Sequence, residues 1–244
     1  MKTVCVRLLL SFAILLLPTV ASASNGSDCS GLPSAAQLKT LLGSAPSTGG
    51  SAGGLFLGQR MWAAVVNRSG EVCAAATTTS DPTQVWPGSQ AIAKAKAYTA
   101  NAFSLDSLAL STARLYTFVQ PGHSLFGLNQ SNPFNPSALA TPSGNDRSDP
   151  KIAGGIITFG GGVPLYKNGK IVGGLGVSGD TACTDHEIAK RVRTLASLDP
   201  AGGPSVDDIT YSSVDGASVF THPLCLNTFR NGVSIGSEAA AAGY

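Results

Sequence analysis

Three histidines, His123, His186 and His222, carry most of the acid-base and ligand chemistry this sequence offers. His186 falls in the first turn of a helical pattern that Thr184 opens. There the free amides and the positive end of the helix dipole disfavour an imidazolium. A neutral ring is the form that ligates a metal or donates a hydrogen bond as an electrophile; the alternative, of equal weight, is a residue that caps or packs beside Asp185. His123 lies in the loop "QPGHSLFG", where it either reaches a ligand from a lid or is a solvated side chain. His222, before Pro223, reads as structural or exposed beside Cys225. Lys94 and Tyr98 are four residues apart on one helical face. They offer an ammonium and a phenol to a carboxylate-bearing ligand, or else form a solvated face with the tyrosine laid over it.

The sequence contains no His-Glu-x-x-His pair, and a Ser-His-Asp triad could be assembled only from dispersed residues, so it names no nucleophile and no zinc-hydrolase site. Gly174-Leu175-Gly176-Val177-Ser178-Gly179 does have the spacing of a dinucleotide fingerprint. That motif works only in the first turn of a parallel strand-helix-strand unit, where the helix N-terminus meets the pyrophosphate. Here the runs "VPLYK" and "KIVGGLGV" flank Asn168-Gly169, a hairpin signal. The glycines therefore end the second strand of a hairpin and serve close packing or a bulge.

The elements that must position these residues begin with an export signal. Lys2 and Arg7 precede an apolar run from Leu8 to Leu17, and Ala21-Ser22-Ala23 supplies the small residues of a cleavage site. Residues 1–23 are expected to be removed, giving a secreted or periplasmic protein with no membrane span after cleavage. Of 16 basic and 14 acidic residues the signal takes two basic ones, leaving 14 against 14. A neutral chain has no electrostatic drive toward nucleic acid or a lipid surface. The signal also takes Cys5. The remaining Cys29, Cys73, Cys183 and Cys225 are expected as disulfides, Cys29 with Cys73 and Cys183 with Cys225, since no close Cys-x-x-Cys spacing favours a metal.

Ser34-x-x-Gln37 is a capping box opening a short helix with Leu38, Leu41 and Leu42 on its apolar side. Pro46 to Gly54 reads as a flexible connector. Strands are expected over Met61 to Val66 and Glu71 to Ala76, joined by a turn at Asn67 to Gly70; their mostly apolar sequence points to burial on both faces. Asn67 begins an Asn-x-Ser acceptor, but the tight turn explains it without sugar. An alanine-rich helix follows from Ala91 to Phe103, and Ser104 is expected to cap another carrying Leu108, Thr112 and Leu115. From Thr117 to Gly160 the chain turns Pro-, Asn-, Gly- and Ser-rich, the composition of a lid or an insertion. A last helix is expected from Thr184 to about Leu198, with a Thr184-x-x-Glu187 capping box and a stripe of Ile188, Val192 and Leu195.

"VVNRSGEV", "AIAKAKAYTANAF" and "GGVPLYKNGKIVGGLGVSG" before an acidic helix start resemble the GlcG/HbpS-like family, over about Met61 to Leu198. Its members are described as haem-binding or haem-degrading and also occur as domains attached to corrinoid enzymes. The resemblance implies an α+β fold, a mainly antiparallel sheet with packed helices of profilin-like layer architecture, often assembled into homo-oligomers. It divides the chain into the signal 1–23, an N-terminal extension 24–60 with the short helix, the domain 61–198 with its insertion at 117–160, and a C-terminal extension 199–244. It also implies haem as cofactor and a tetrapyrrole or other small molecule as partner. His186 is then the candidate iron ligand, with His123, Lys94 and Tyr98 as further contacts, Lys94 and Tyr98 facing a propionate. Binding is expected near the 91–103 helix, the glycine-rich hairpin and a lid from Gly122 to Asn132. Two other readings stand beside this one: an enzyme on the same scaffold, acting on a small organic acid or aromatic compound through His186 or His123, and a structural oligomer whose pocket has decayed.

Overall fold

The computed structural model describes residues 28–139 and 152–239. The expected export signal and part of the long insertion lie outside the described residues. The chain opens with α1 (Ala35–Ser44), whose N-cap Ser34 and Gln37 form the expected reciprocal capping box. A short strand β1 (Ser51–Gly53) precedes the hairpin β2 (Trp62–Asn67) and β3 (Val72–Thr77), then helix α2 (Ser89–Ala102). After the insertion come the hairpin β4 (Gly162–Lys167) and β5 (Lys170–Ser178), helix α3 (Ala182–Leu195), the single turn α4 (Ser212–Asp215) and strand β6 (Thr228–Gly236). Asn168 and Gly169 both take positive φ, 52° and 74°, as a two-residue hairpin turn of matching twist requires.

The main sheet is antiparallel, in the order β3-β2-β5-β4. Its strands are buried on both faces, which is why they do not alternate. Ala63 and Val65 of β2 face a core shared with Leu38 and Leu42 of α1 and Ile188 and Val192 of α3. Their neighbours Trp62, Ala64 and Val66 face the opposite core, with Ala93 and Ala97 of α2. The fold is thus α+β, with one antiparallel sheet between two helical layers.

The glycines of the fingerprint lie where α2 crosses β5. A Cβ at Gly176 would strike the carbonyl oxygen of Ala93, and one at Gly174 that of Ala97. They let the helix backbone rest on the strand, the packing use expected of them.

Three local expectations are corrected. The residues after Ser104 form no α-helix: Leu105 and Leu108 close a tight turn through mutual backbone hydrogen bonds, and the Ser104 hydroxyl both donates to and accepts from the Leu110 backbone. Only the 3-10 turn Thr112–Leu115 follows. The last helix starts earlier than expected: Thr181 is its N-cap and accepts from the Thr184 N–H, so Glu187 is free to pair elsewhere. The 46–54 segment is no simple connector either, because Ser51–Gly53 pairs with β6 as a second, two-stranded sheet. Among the described residues no helix is long and apolar enough to cross a membrane.

Both expected disulfides are present. Cys29 joins Cys73 and ties the N-terminal segment to β3, and Cys183 joins Cys225 and ties the first turn of α3 to the C-terminal segment.

Candidate functional site

The three histidines divide by access. His186 is 1 % exposed within α3. Its Nε2 lies 3.3 Å from Asp208 Oδ1, yet neither ring nitrogen makes a hydrogen bond of acceptable geometry with a described residue. His222, read as structural or exposed, is buried at 2 %. Its Nδ1 donates to the Pro223 carbonyl at 2.8 Å, and the Gly160 N–H donates to Nε2 at 3.3 Å, an arrangement that needs the neutral ring. Burial pushes its pKa down to about 4. His222 and the sulfurs of Cys183 and Cys225 lie within 4.8 Å of one another, but both sulfurs are spent in the disulfide and offer no thiolate to a metal. His123 alone is exposed.

Lys94 and Tyr98 do share a face of α2, but neither belongs to a solvated surface there. Lys94 is buried, and its Nζ donates to the carbonyls of Ala138 and Leu139, both at 2.8 Å. Burial lowers its pKa to about 8. Tyr98 Oη accepts from Asn132 Nδ2 at 3.2 Å. Together they fasten the insertion to α2, so neither is poised toward a free carboxylate in this structure. Asn67 is likewise buried, exchanging side-chain hydrogen bonds with Glu71, which leaves no room for a sugar.

Helix α3 buries nearly all of its charged residues. Its apolar stripe faces the sheet, and the N- and C-terminal segments cover the rest. Arg193 forms two short hydrogen bonds to Asp207, at 2.7 and 2.8 Å. Lys190 contacts Asp208 at 2.5 Å, and Arg191 contacts Glu187 while donating to the carbonyls of Ala45, Pro46, Gly50 and Ser51. Burial opposes ionisation of Asp208, but the neighbouring His186 and the Lys190 ammonium hold its carboxyl below the usual range. Across the sheet, Lys96 Nζ sits 2.6 Å from Asp185 Oδ2 and 4.9 Å from the Phe159 ring centroid. Burial is the largest influence on this pair, raising Asp185 to about 6 and lowering Lys96, while their mutual contact works against it.

The lid is the opposite case. From Gln120 to Gln130 it is a series of turns, with Leu125 N–H donating to the Phe118 carbonyl at 2.9 Å. Phe118 stacks edge-on with Phe220 at 5.9 Å, and the Arg114 guanidinium lies 5.1 Å from the Phe220 centroid. Beyond them His123, Leu125 and Phe126 face solvent, Phe126 at 67 % exposure. An accessible imidazole beside an apolar and aromatic surface, with a cation at its margin, can take up a flat apolar ligand carrying a carboxylate and place a nitrogen donor on it. The sequence reading named His123 but neither Phe126 nor Arg114; the apolar "LF" within an otherwise polar loop was the available signal.

The layered α+β fold gives the class, and the matching sequence identifies the family. Residues 52–193, more than half of the chain, match the family described as haem degrading protein HbpS-like, and the chain belongs to it. It is 32 % identical over 102 residues to the corrinoid adenosyltransferase PduO of Salmonella typhimurium, covering 42 % of this chain and 23 % of that one. The chain therefore spans about a quarter of that relative's length. Among solved structures, Klebsiella pneumoniae protein ORFY is similar with a TM-score of 0.47 and 24 % identity, over 67 % of this chain and 88 % of that one. The crystal structure of a PduOC haem complex is similar with a TM-score of 0.44 and 25 % identity, over 64 % and 88 % of the two chains.

Proposed function

We propose that this chain is an exported tetrapyrrole-binding protein that takes haem or a related macrocycle on the outer face of the lid, with His123 as the axial imidazole. The carrying observation is access: His186 and His222 are buried, and His123 stands in solvent beside Leu125 and Phe126. Arg114, over Phe220, supplies a cation for a propionate. His186, the first candidate for the iron, does not fit an external ligand, because α3 and its covering segments enclose it. When bound, haem would supply iron-centred redox and ligand-exchange chemistry; the chain's own contribution is the nitrogen donor, the apolar cover and the charge. Family membership supports haem, and the similarity to part of a corrinoid adenosyltransferase keeps the ligand class at tetrapyrroles as a whole. Export is supported by the 1–23 signal pattern and by four cysteines paired as disulfides.

The test is a haemin titration of the mature chain followed by absorbance, with His123→Ala and His186→Ala alongside. A saturable one-site Soret shift that His123→Ala abolishes and His186→Ala retains supports the reading. Loss of the shift only in a folded His186→Ala variant, or no saturation in the wild type, overturns it.

A further inference from the structure

A second exposed surface lies between β1 and the start of α2, where two adjoining open clefts of about 430 and 230 Å³ share Phe56, Arg60, Gln84 and Val85 as walls. Phe56 and Trp86 meet edge-to-face at 5.5 Å, and the Arg60 guanidinium stands 5.1 Å from the Phe56 centroid. Trp86 keeps 48 % of its surface exposed, although a large aromatic ring gains most from burial.

The surface is held in shape from beneath. Asp180, a buried carboxylate, accepts the backbone N–H groups of Leu55 at 2.7 Å, Phe56 at 2.8 Å and Gly58 at 3.2 Å. Leu57, between them, is held at φ 55°, a left-handed conformation that costs a leucine free energy and persists only where the surroundings impose it. On the other wall, buried Val85 anchors the turn, and the Trp86 carbonyl accepts the Ser89 N–H at 3.0 Å as α2 begins. Both aromatic rings are thus presented on fixed backbone, which lowers the entropy cost of binding.

The charge on these walls is unbalanced. Arg60 is the one charged side chain lining either cleft, no carboxylate lines them, and among the described residues Arg60 has no acidic partner. Two exposed aromatic rings beside an unpaired guanidinium match a ligand with a flat ring and an anionic carboxylate, the ring stacking and the carboxylate taking charge-assisted hydrogen bonds. We infer that this cleft is a binding site for a planar aromatic carboxylate, separate from the lid.

The test is isothermal titration of the mature chain with 2-naphthoate and with its neutral counterpart 2-naphthamide, in wild type, Arg60→Gln and Trp86→Ala. The wild type is expected to bind 2-naphthoate saturably at one site. Arg60→Gln is expected to weaken 2-naphthoate by about tenfold and leave 2-naphthamide unchanged, whereas Trp86→Ala weakens both. Equal binding of the two probes by the wild type, wild-type affinity in Arg60→Gln, or failure to saturate would overturn the inference. Should Trp86→Ala fold poorly, Arg60→Gln and the probe pair decide it alone. Arg60 and Trp86 line the cleft and lie outside the lid, so a loss of 2-naphthoate in their variants reports the cleft, and its failure is distinguishable from a failure of the lid to take haemin.

Discussion

Helix α3 and the lid both carry a histidine among chemically capable neighbours, and they use them in opposite ways. In α3 every charged side chain is paired, with another residue of the helix, with Lys96 of α2 or with the covering segments, and His186 is sealed among them. In the lid few groups are paired, and His123, Leu125 and Phe126 face outward. The concentration of acids, bases and histidine that would ordinarily mark an active site is here a structural device, and the sparse loop carries the accessible chemistry. A buried charge must be paired to remain ionised, so density of polar groups measures packing as readily as function.

Removing one partner from the α3 network should give the largest effect. Arg193→Leu leaves Asp207 buried and unpaired and is expected to cost about 3–5 kcal/mol in urea unfolding; a loss near zero would mean that the C-terminal segment does not seal the helix in solution. Opening the bridge that pins that segment comes next. The Cys183→Ser, Cys225→Ser double variant releases cross-linked residues 42 apart, worth about 4 kcal/mol by chain entropy and often less in practice. Comparing its unfolding midpoint with that of the wild type under oxidising conditions checks this.

His222 makes the same contrast pH-dependent. Its pKa in the folded chain, about 4, lies below the ordinary 6.5, so the native state binds fewer protons than the unfolded one across that interval. Its contribution is complete above pH 6.5 and is lost as pH falls from there toward 4, by roughly 3 kcal/mol. Unfolding midpoints at pH 7.5, 5.5 and 4.5 should show the decline, and His222→Gln, whose amide can still accept the Gly160 N–H, should remove this part of it. The smallest stability effect belongs to the lid. Phe126→Ser should change unfolding by less than about 0.5 kcal/mol while weakening haemin in the absorbance titration. Equal effects on stability and haemin would erase the distinction between the two regions.

The legibility of the sequence follows the range of the interactions. The capping box at Ser34, the turn at Asn168-Gly169, the two hairpins and the helices at 91–103 and 184–198 could be read because each rests on neighbours a few residues away. Unalternating apolar strands already implied a sheet covered on both faces. The pairing of β1 with β6 was hidden, since Ser51 and Gly232 meet only after the chain returns. Ser104 looked like a cap because serine bonds backbone amides in caps and turns alike; only the folded chain showed it holding Leu110.

By itself, the sequence determined that the strands are covered on both faces and which three histidines could hold any imidazole ligand; it favoured the disulfide pairing found and left Gly174 and Gly176 to close packing or a bulge. Only the tertiary structure decided which histidine is accessible, that Lys94 is spent on two carbonyls, and that Arg60, Phe56 and Trp86 share one cleft. Local pattern records the preferences of a segment for helix, strand or turn. Burial of a polar side chain depends on segments distant in sequence that arrive to cover it, and here those are the extensions on either side of the sheet domain.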